Sequence, residues 1–451
     1  MTLRNVLVFS AGGLAVALSA CAGQADNPVS VGIGINPQLE APKTSLIPAV
    51  KLAEARRWAP GQMPTPAAGL KVTAFATGLD HPRWLHVLPN GDVLVAETNA
   101  PVRPESGQGI IGYFQTEAMK KAGAVTPTAN RISLLRDADG DGVAETKAAF
   151  LTGLNSPFGM ALAGGRLYIA NSDAVVSVPY TEGATQAAGA PKQLTDLPAG
   201  PLNHHWTKAL VVSADGARLY ATVGSNSNIA ENGIEKEEGR AAIWEIDIAS
   251  GAKRLFATGL RNPNGMDWEP GSGVLWTAVN ERDELGHNLV PDYITSVKDG
   301  AFYGWPWSYF GQTVDTRVKP QRPDMVAKAI APDYALGAHT ASLGLTFADG
   351  AKLGEQFANG AFIGQHGSWN RDPFSGYKVI FVPFSNGKPM GQPIDVLTGF
   401  IDEGRQIAFG RPVGVEIGKD GSLLVADDVG NTVWRIAAAG ATPPADPATT
   451  R

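Results

Sequence analysis

The sequence predicts an all-β fold arranged as a six-bladed β-propeller, on three observations. An apolar strand, a glycine-containing turn and a second apolar strand recur six times along the chain. The copies are irregularly spaced, roughly fifty to ninety residues apart, which suits one four-stranded unit plus variable loops per copy. The turns carry Asn90-Gly91, Asp215-Gly216 and Asp420-Gly421, residues that tolerate the positive φ of tight hairpins.

In order, the hairpins read LHVLPNGDVLVAET, MALAGGRLYIANS, LVVSADGARLYATVG, MDWEPGSGVLWTAVN, FANGAFIGQHG and VEIGKDGSLLVADD, with Leu94, Leu167, Leu219, Leu275, Phe362 and Leu424 equivalent. Six such units closed in a ring would leave none of the exposed edges of an open sheet. A long β-sandwich array is the alternative, but it would show more regular domain-sized boundaries. Helical content is expected to be low.

The ends of the chain are not globular in composition. Residues 1–21 hold a charged start at Arg4, an apolar stretch and Leu18-Ser19-Ala20-Cys21, a signal peptide ending in a lipobox. The apolar run is short for a spanning helix. Cys21 is the only cysteine and the expected lipidation site, so the mature fold has no disulfide. Ala22 follows it, not Asp, which points to an outer-membrane anchor facing the periplasm. Residues 22–66 read as a tether, 67–438 as the propeller and 439–451 as a disordered tail. A net charge of −6 and 18% charged residues leave no basic footprint for nucleic acid.

Several stretches could carry chemistry. Asp137, Asp139 and Asp141 with Gly142 match the first half of an EF-hand calcium loop, and Val143 supplies the next carbonyl. The bidentate glutamate of that motif is missing, Ala148 standing there, so a structural clip is expected; a solvated acidic turn is the bland alternative. His204 and His205, two of only seven histidines, precede the third hairpin. With no HExxH or CxxC present, they read either as a general base near neutral pH or as a hydrogen-bonded structural pair. GLRNPNGMDW, HGSWNRDPFSGY and FGRPVGV put Arg261, Arg371 and Arg411 in three loops that could converge on a polyanion, although any one alone is more often a salt-bridge partner.

Together these stretches resemble the soluble glucose and sorbosone dehydrogenase family, propellers that use pyrroloquinoline quinone (PQQ) and Ca²⁺. The resemblance runs from about Gly69 to Ile436 and rests on HHWTKALVVSADGARLYATVG, GLRNPNG, NERDELGHN, YGWPWSYFG, HTASLGLTF, HGSWNRD and GRPVGV. The lipobox, DADGDG and HGSWNRD favour its sorbosone-dehydrogenase-like branch. The resemblance implies His205 as catalytic base, Arg261, Asn262, Arg371 and Arg411 as cofactor-binding residues, and the carbonyls of Glu281 and Arg282 as ligands of an active-site Ca²⁺. A sugar substrate and an electron acceptor, cytochrome or quinone, are implied with it.

Two departures stand out. Ser225 and Asn226 occupy the place of the acidic residue that supports the histidine in the glucose enzymes, and Gly337-Ala338-His339 replaces a Trp-Pro-Thr stretch. Two other classes compete. One is a Ca²⁺-dependent propeller lactonase, with Glu97, Asn99, Asn262 and Asp427 imagined at the axis; the other is a non-catalytic surface binding propeller.

Overall fold

Each repeated hairpin forms the first two strands of its own antiparallel sheet in the computed structural model, which describes residues 23–43, 50–102, 120–123 and 125–440. The first sheet comprises Pro82–Val87, Val93–Glu97, Arg131–Arg136 and Thr146–Leu151, and the second Met160–Ala163, Arg166–Ala170, Ala174–Pro179 and Lys192–Asp196. The third holds Leu210–Val212, Arg218–Val223, Ala242–Asp247 and Lys253–Thr258. The fourth is built on Pro263–Trp268, Leu275–Val279, Pro291–Ser296 and Tyr334–Ala338. The fifth is built on Ser342–Phe347, Gly360–Gln365, Lys378–Ser385 and Ile394–Thr398. In the sixth, Pro412–Ile417, Leu423–Asp427 and Thr432–Ala438 are completed by Leu70–Thr77, from the other end of the chain.

Burial follows strand position. Val93–Glu97, Leu275–Val279 and Leu423–Asp427 are buried at every residue, because sheets pack on both of their faces. Outer strands such as Lys192–Asp196 are mostly exposed, with Thr195 alone buried. Helix is scarce among the described residues, Pro323–Val326 being a single turn.

The first strands of the sheets lie side by side in chain order, and the sixth also touches the first. Backbones approach too closely there for a side chain. A Cβ on Gly344 would sit 2.2 Å from the Val413 carbonyl oxygen, and one on Gly414 would sit 2.8 Å from that of Arg83. A cavity of about 210 Å³ is lined from all six first strands, by His86, Leu162, Val211, Asp267, Thr346 and Glu416 among others.

The expected tether is instead packed on the sheets over much of its length. Ile33–Gly34 pairs with Tyr334–Ala338, Glu54–Ala55 with Ile407–Ala408, and Thr65–Pro66 with Ile394–Thr398. Composition suggested a free lead-in because these strands are two residues long, too short for periodicity to register. Residues 1–21, Cys21 among them, and 441–451 lie outside the described residues.

Candidate active site

In an antiparallel hairpin the start of one strand lies beside the end of the next, as Pro82 pairs with Glu97, Pro263 with Val279 and Pro412 with Asp427. Residues just before the first strands and just after the second strands therefore collect at one end of the molecule. His205, Arg261, Asn262 and Arg411 precede first strands; Ser225, Asp283, His366 and Asp428 follow second strands.

His205 is fixed by its own hairpin. Its ring Nδ1 lies 2.8 Å from the Ser225 carbonyl oxygen and 2.9 Å from Ser225 Oγ. The hydroxyl spends its proton on the Ser227 carbonyl at 2.6 Å, so both Ser225 oxygens can only accept. Nδ1 is thus the protonated nitrogen, and the Nε2 lone pair is left for chemistry. Burial first, then the Arg261 charge, pushes the imidazole well below its ordinary range, so it stays neutral. Glu237, itself buried, holds the supporting loop by accepting from the Asn226 amide at 2.6 Å and from Ser227 Oγ.

The neighbouring loops dock on this segment. Thr207 Oγ1 donates to Asn264 Oδ1 at 2.8 Å, and the Ser225 amide donates to the Arg261 carbonyl at 2.7 Å. Gly224 is squeezed between His205 and Asn262: a Cβ there would lie 2.4 Å from His205 Cβ and 2.5 Å from Asn262 Oδ1. Asn262 Oδ1 is buried with no hydrogen-bond partner among the described residues.

Two carboxylates organise the remaining charges. Asp283 accepts from Arg261 Nη2 at 3.3 Å and from Asn370 Nδ2 at 2.9 Å, with His339 Nδ1 at 3.2 Å. Burial alone would raise Asp283, but the His339 hydrogen bond and the Arg261 charge carry it well below the usual carboxylate range. Asp428 accepts from Arg83 Nη1 at 2.9 Å and from His366 Nε2 at 2.9 Å. Burial would raise Asp428 too, yet His366, His81 and Arg83 hold it down, so it is the ionised partner of Arg83. Burial pushes His366 down to about 3 and His81 to about 4. Arg83 also stacks over Trp206, 5.8 Å from the ring centroid, which brings the Asp428 group beside the His205 segment.

A family model described as TrAA12-like matches residues 64–295 and 312–439. The chain belongs to the TrAA12-like family. It is 25% identical over 431 aligned positions, 82% of its own length, to a pyrroloquinoline quinone-dependent pyranose dehydrogenase of Coprinopsis cinerea. It is 29% identical over 242 residues, 53% of its length, to an uncharacterized protein of Borreliella burgdorferi. The chain spans 54% and 62% of these two relatives, respectively. The holo form of the PQQ domain of the Coprinopsis cinerea pyranose dehydrogenase has the same fold, with a TM-score of 0.66 at 23% identity, covering 84% of this chain and 98% of that one.

In this member of the TrAA12-like family, His205, Arg261 and Asn262 lie together, with Arg411 in the adjoining Asp428 group. Arg411 Nε donates to the His366 carbonyl at 2.9 Å, and its guanidinium packs over Tyr377. Arg371 behaves otherwise. Its guanidinium donates to the carbonyls of Asn27, His287 and Pro373 and to Asn288 Oδ1, between the N-terminal segment and the core. The carbonyls expected to hold calcium are engaged as well: Arg261 Nη1 donates to Glu281 O at 2.6 Å, and the Val290 amide faces Arg282 O at 3.5 Å. A cation there would meet the Arg261 charge.

Asp137, Asp139 and Asp141 do converge in the turn after Arg131–Arg136, and Glu145 joins them, with potential ligand atoms within 4.8 Å of one another. Three members of the lactonase set are engaged by other groups. Glu97 is taken by Arg131 and Ser133, Asp427 by Trp58 and Trp434, and Asn99 by Thr126.

Arg83, His81, His366, Asp283 and Asp428 are the residues that sequence reasoning missed. Their signal is positional: each lies at or just before the start of a first strand or follows a second strand, close to where His205 and Arg261 sit.

Proposed function

We propose that this chain is a PQQ-dependent sugar dehydrogenase in which His205 is the general base. The observation that carries the reading is the His205 tautomer, locked by Ser225 with Nε2 left free beside buried guanidinium groups. Membership of the TrAA12-like family and the named cofactor of the Coprinopsis cinerea relative support it. So does the supply of polar atoms: Arg83 Nε and Asn262 Oδ1 are both buried without partners among the described residues, one a donor and one an acceptor. A ligand that offers a carboxylate or carbonyl oxygen to Arg83 and an N–H or O–H group to Asn262 suits such a pair.

Arg83, Arg261, Asn262 and Arg411 are the residues that would hold the cofactor. When bound, PQQ would supply an ortho-quinone that accepts hydride. The residues of the chain do the rest. Arginines fix carboxylates by paired hydrogen bonds, and His205 Nε2 takes the hydroxyl proton from the sugar C1 hydroxyl or aldehyde hydrate. The Ser225 carbonyl then steadies the imidazolium through Nδ1–H.

We read the six sheets as six blades of one closed ring. The contact of Gly414 with the first sheet, a cavity lined by all six first strands and the completion of the sixth sheet by Leu70–Thr77 support that reading. The acidic turn is read as a structural calcium site, and Cys21 as a lipid anchor in the periplasm.

The test is His205→Ala assayed by dye reduction with added PQQ and Ca²⁺ on a panel of aldoses and sorbosone. Turnover should fall on the order of 10²–10⁴-fold, with PQQ still bound. Lactone hydrolysis without PQQ would move the assignment to a lactonase, and full activity in the variant would remove the mechanism.

A further inference from the structure

We infer that the end of the molecule carrying His205 and Asp283 faces a phospholipid bilayer. The inference rests on the lipidation of Cys21 proposed above. It adds which surface the anchor draws to the membrane.

The first described residues are not free to swing. His287 Nε2 lies 3.2 Å from the Gly23 carbonyl oxygen, the Ala25 amide donates to the Asp372 carbonyl at 2.7 Å, and Arg371 Nη2 donates to the Asn27 carbonyl at 3.1 Å. Asn27 Nδ2 and Asn288 Nδ2 both donate to Glu40 Oε1, tying the segment to itself and to the same loop. His287 and Asn288 belong to the loop after Leu275–Val279 that carries Asp283, and Asp372 to the loop after Gly360–Gln365 that carries His366. The chain is thus pinned at the His205 end.

Cys21 lies two residues before Gly23, and two residues reach at most about 7 Å. Acyl chains on that cysteine must enter the bilayer beside His287. A long flexible tether would let the molecule turn any side to the membrane; a two-residue leash on a pinned segment does not.

The surface there has membrane-compatible chemistry. Trp369 is 39% exposed in the loop of Asp372, and Val50 is 45% exposed next to Lys51, whose amide donates to the Trp369 carbonyl at 2.8 Å. Val102, 97% exposed, follows the second strand of the first sheet and so lies at the same end. Tryptophan and aliphatic side chains partition into the headgroup region.

The experiment uses the lipidated full chain in vesicles of phosphatidylethanolamine and phosphatidylglycerol doped with a spin-labelled quencher lipid. With Cys21 blocked by its lipid, Val50→Cys and Val274→Cys each accept one thiol-reactive fluorophore. Val274 is 37% exposed at the opposite end, in the turn between Pro263–Trp268 and Leu275–Val279. We expect several-fold stronger quenching at position 50 than at 274. We also expect a twenty-residue Gly-Ser insertion after Ala22 to erase the difference while vesicle flotation persists. Equal quenching, or stronger quenching at 274, overturns the inference with the anchor intact. Loss of flotation in the uninserted protein overturns the anchor itself, and the orientation falls with it.

Discussion

At His205 one backbone carbonyl does what a carboxylate would otherwise do. A carboxylate partner would stabilise the imidazolium by charge, whereas Ser225 orients the ring and fixes its tautomer without adding charge. Burial and Arg261 then keep the ring neutral, its proton affinity held well below the ordinary value near 6.5. In the proposed mechanism the base is the unprotonated form, so activity would be lost only as pH falls through that lowered value. A pH profile of kcat/KM should therefore show no ionisation near 6.5, with its acid limb well below; a limb centred near 6.5 would mean a solvated imidazole. Gly224 tests the packing behind this. Gly224→Ala drives a methyl into His205 and Asn262, which should cost about 1–3 kcal/mol of stability. kcat should fall while the circular dichroism spectrum stays unchanged; wild-type kcat in that variant would show that the two residues need not touch. The sequence pointed to His205 by its place before a strand, but Ser225 looked like a loss there, because a carbonyl partner leaves no mark in residue identity.

Among the elements, the turn between Arg131–Arg136 and Thr146–Leu151 is the clearest case of local sequence deciding local structure. Asp137 accepts from the amides of Gly140 and Gly142, and Asp141 from that of Val143, which curls the turn and gathers its carboxylates. Burial raises the pKa of Asp137, backbone hydrogen bonds oppose this, and the charges of Glu145 and Asp141 raise it again. A divalent cation would relieve that repulsion. Calcium at about a hundred times its Kd should add about 2.7 kcal/mol to stability, read as a higher Tm that a chelator reverses. Paired Asp139→Asn and Asp141→Asn substitutions should abolish the response. A Tm indifferent to chelation would leave a plain acidic turn. Glu145 stands at the motif's ninth position, which often reaches the ion through water, and the motif reading stopped at the seventh; the fold of the turn brings its carboxylate back to the Ala138 amide, at 2.8 Å. The opposite holds for Arg371, which stands in a loop rich in chemistry yet turns its guanidinium into the N-terminal segment.

For the molecule as a whole, the strand Leu70–Thr77 closes what the sixth hairpin begins, pairing with Thr432–Ala438 across the full length of the chain. Without it that strand is an open edge. Phe75, 5% exposed in the closing strand, packs with Leu85, Val95 and Val433, spanning the sixth and first sheets. Phe75→Ala should cost about 3–5 kcal/mol in equilibrium denaturation, and deletion through Thr77 should leave no cooperative transition at all. Retained cooperative unfolding after that deletion would mean that the sheets stand independently. The hairpins, their number and the acidic turn were determined by the sequence alone, since strand alternation and turn chemistry act between residues a few positions apart. Which charges meet was decided only by tertiary structure. Arg83 and Asp428 are 345 residues apart, and no local pattern records a contact made when the last sheet folds against the first.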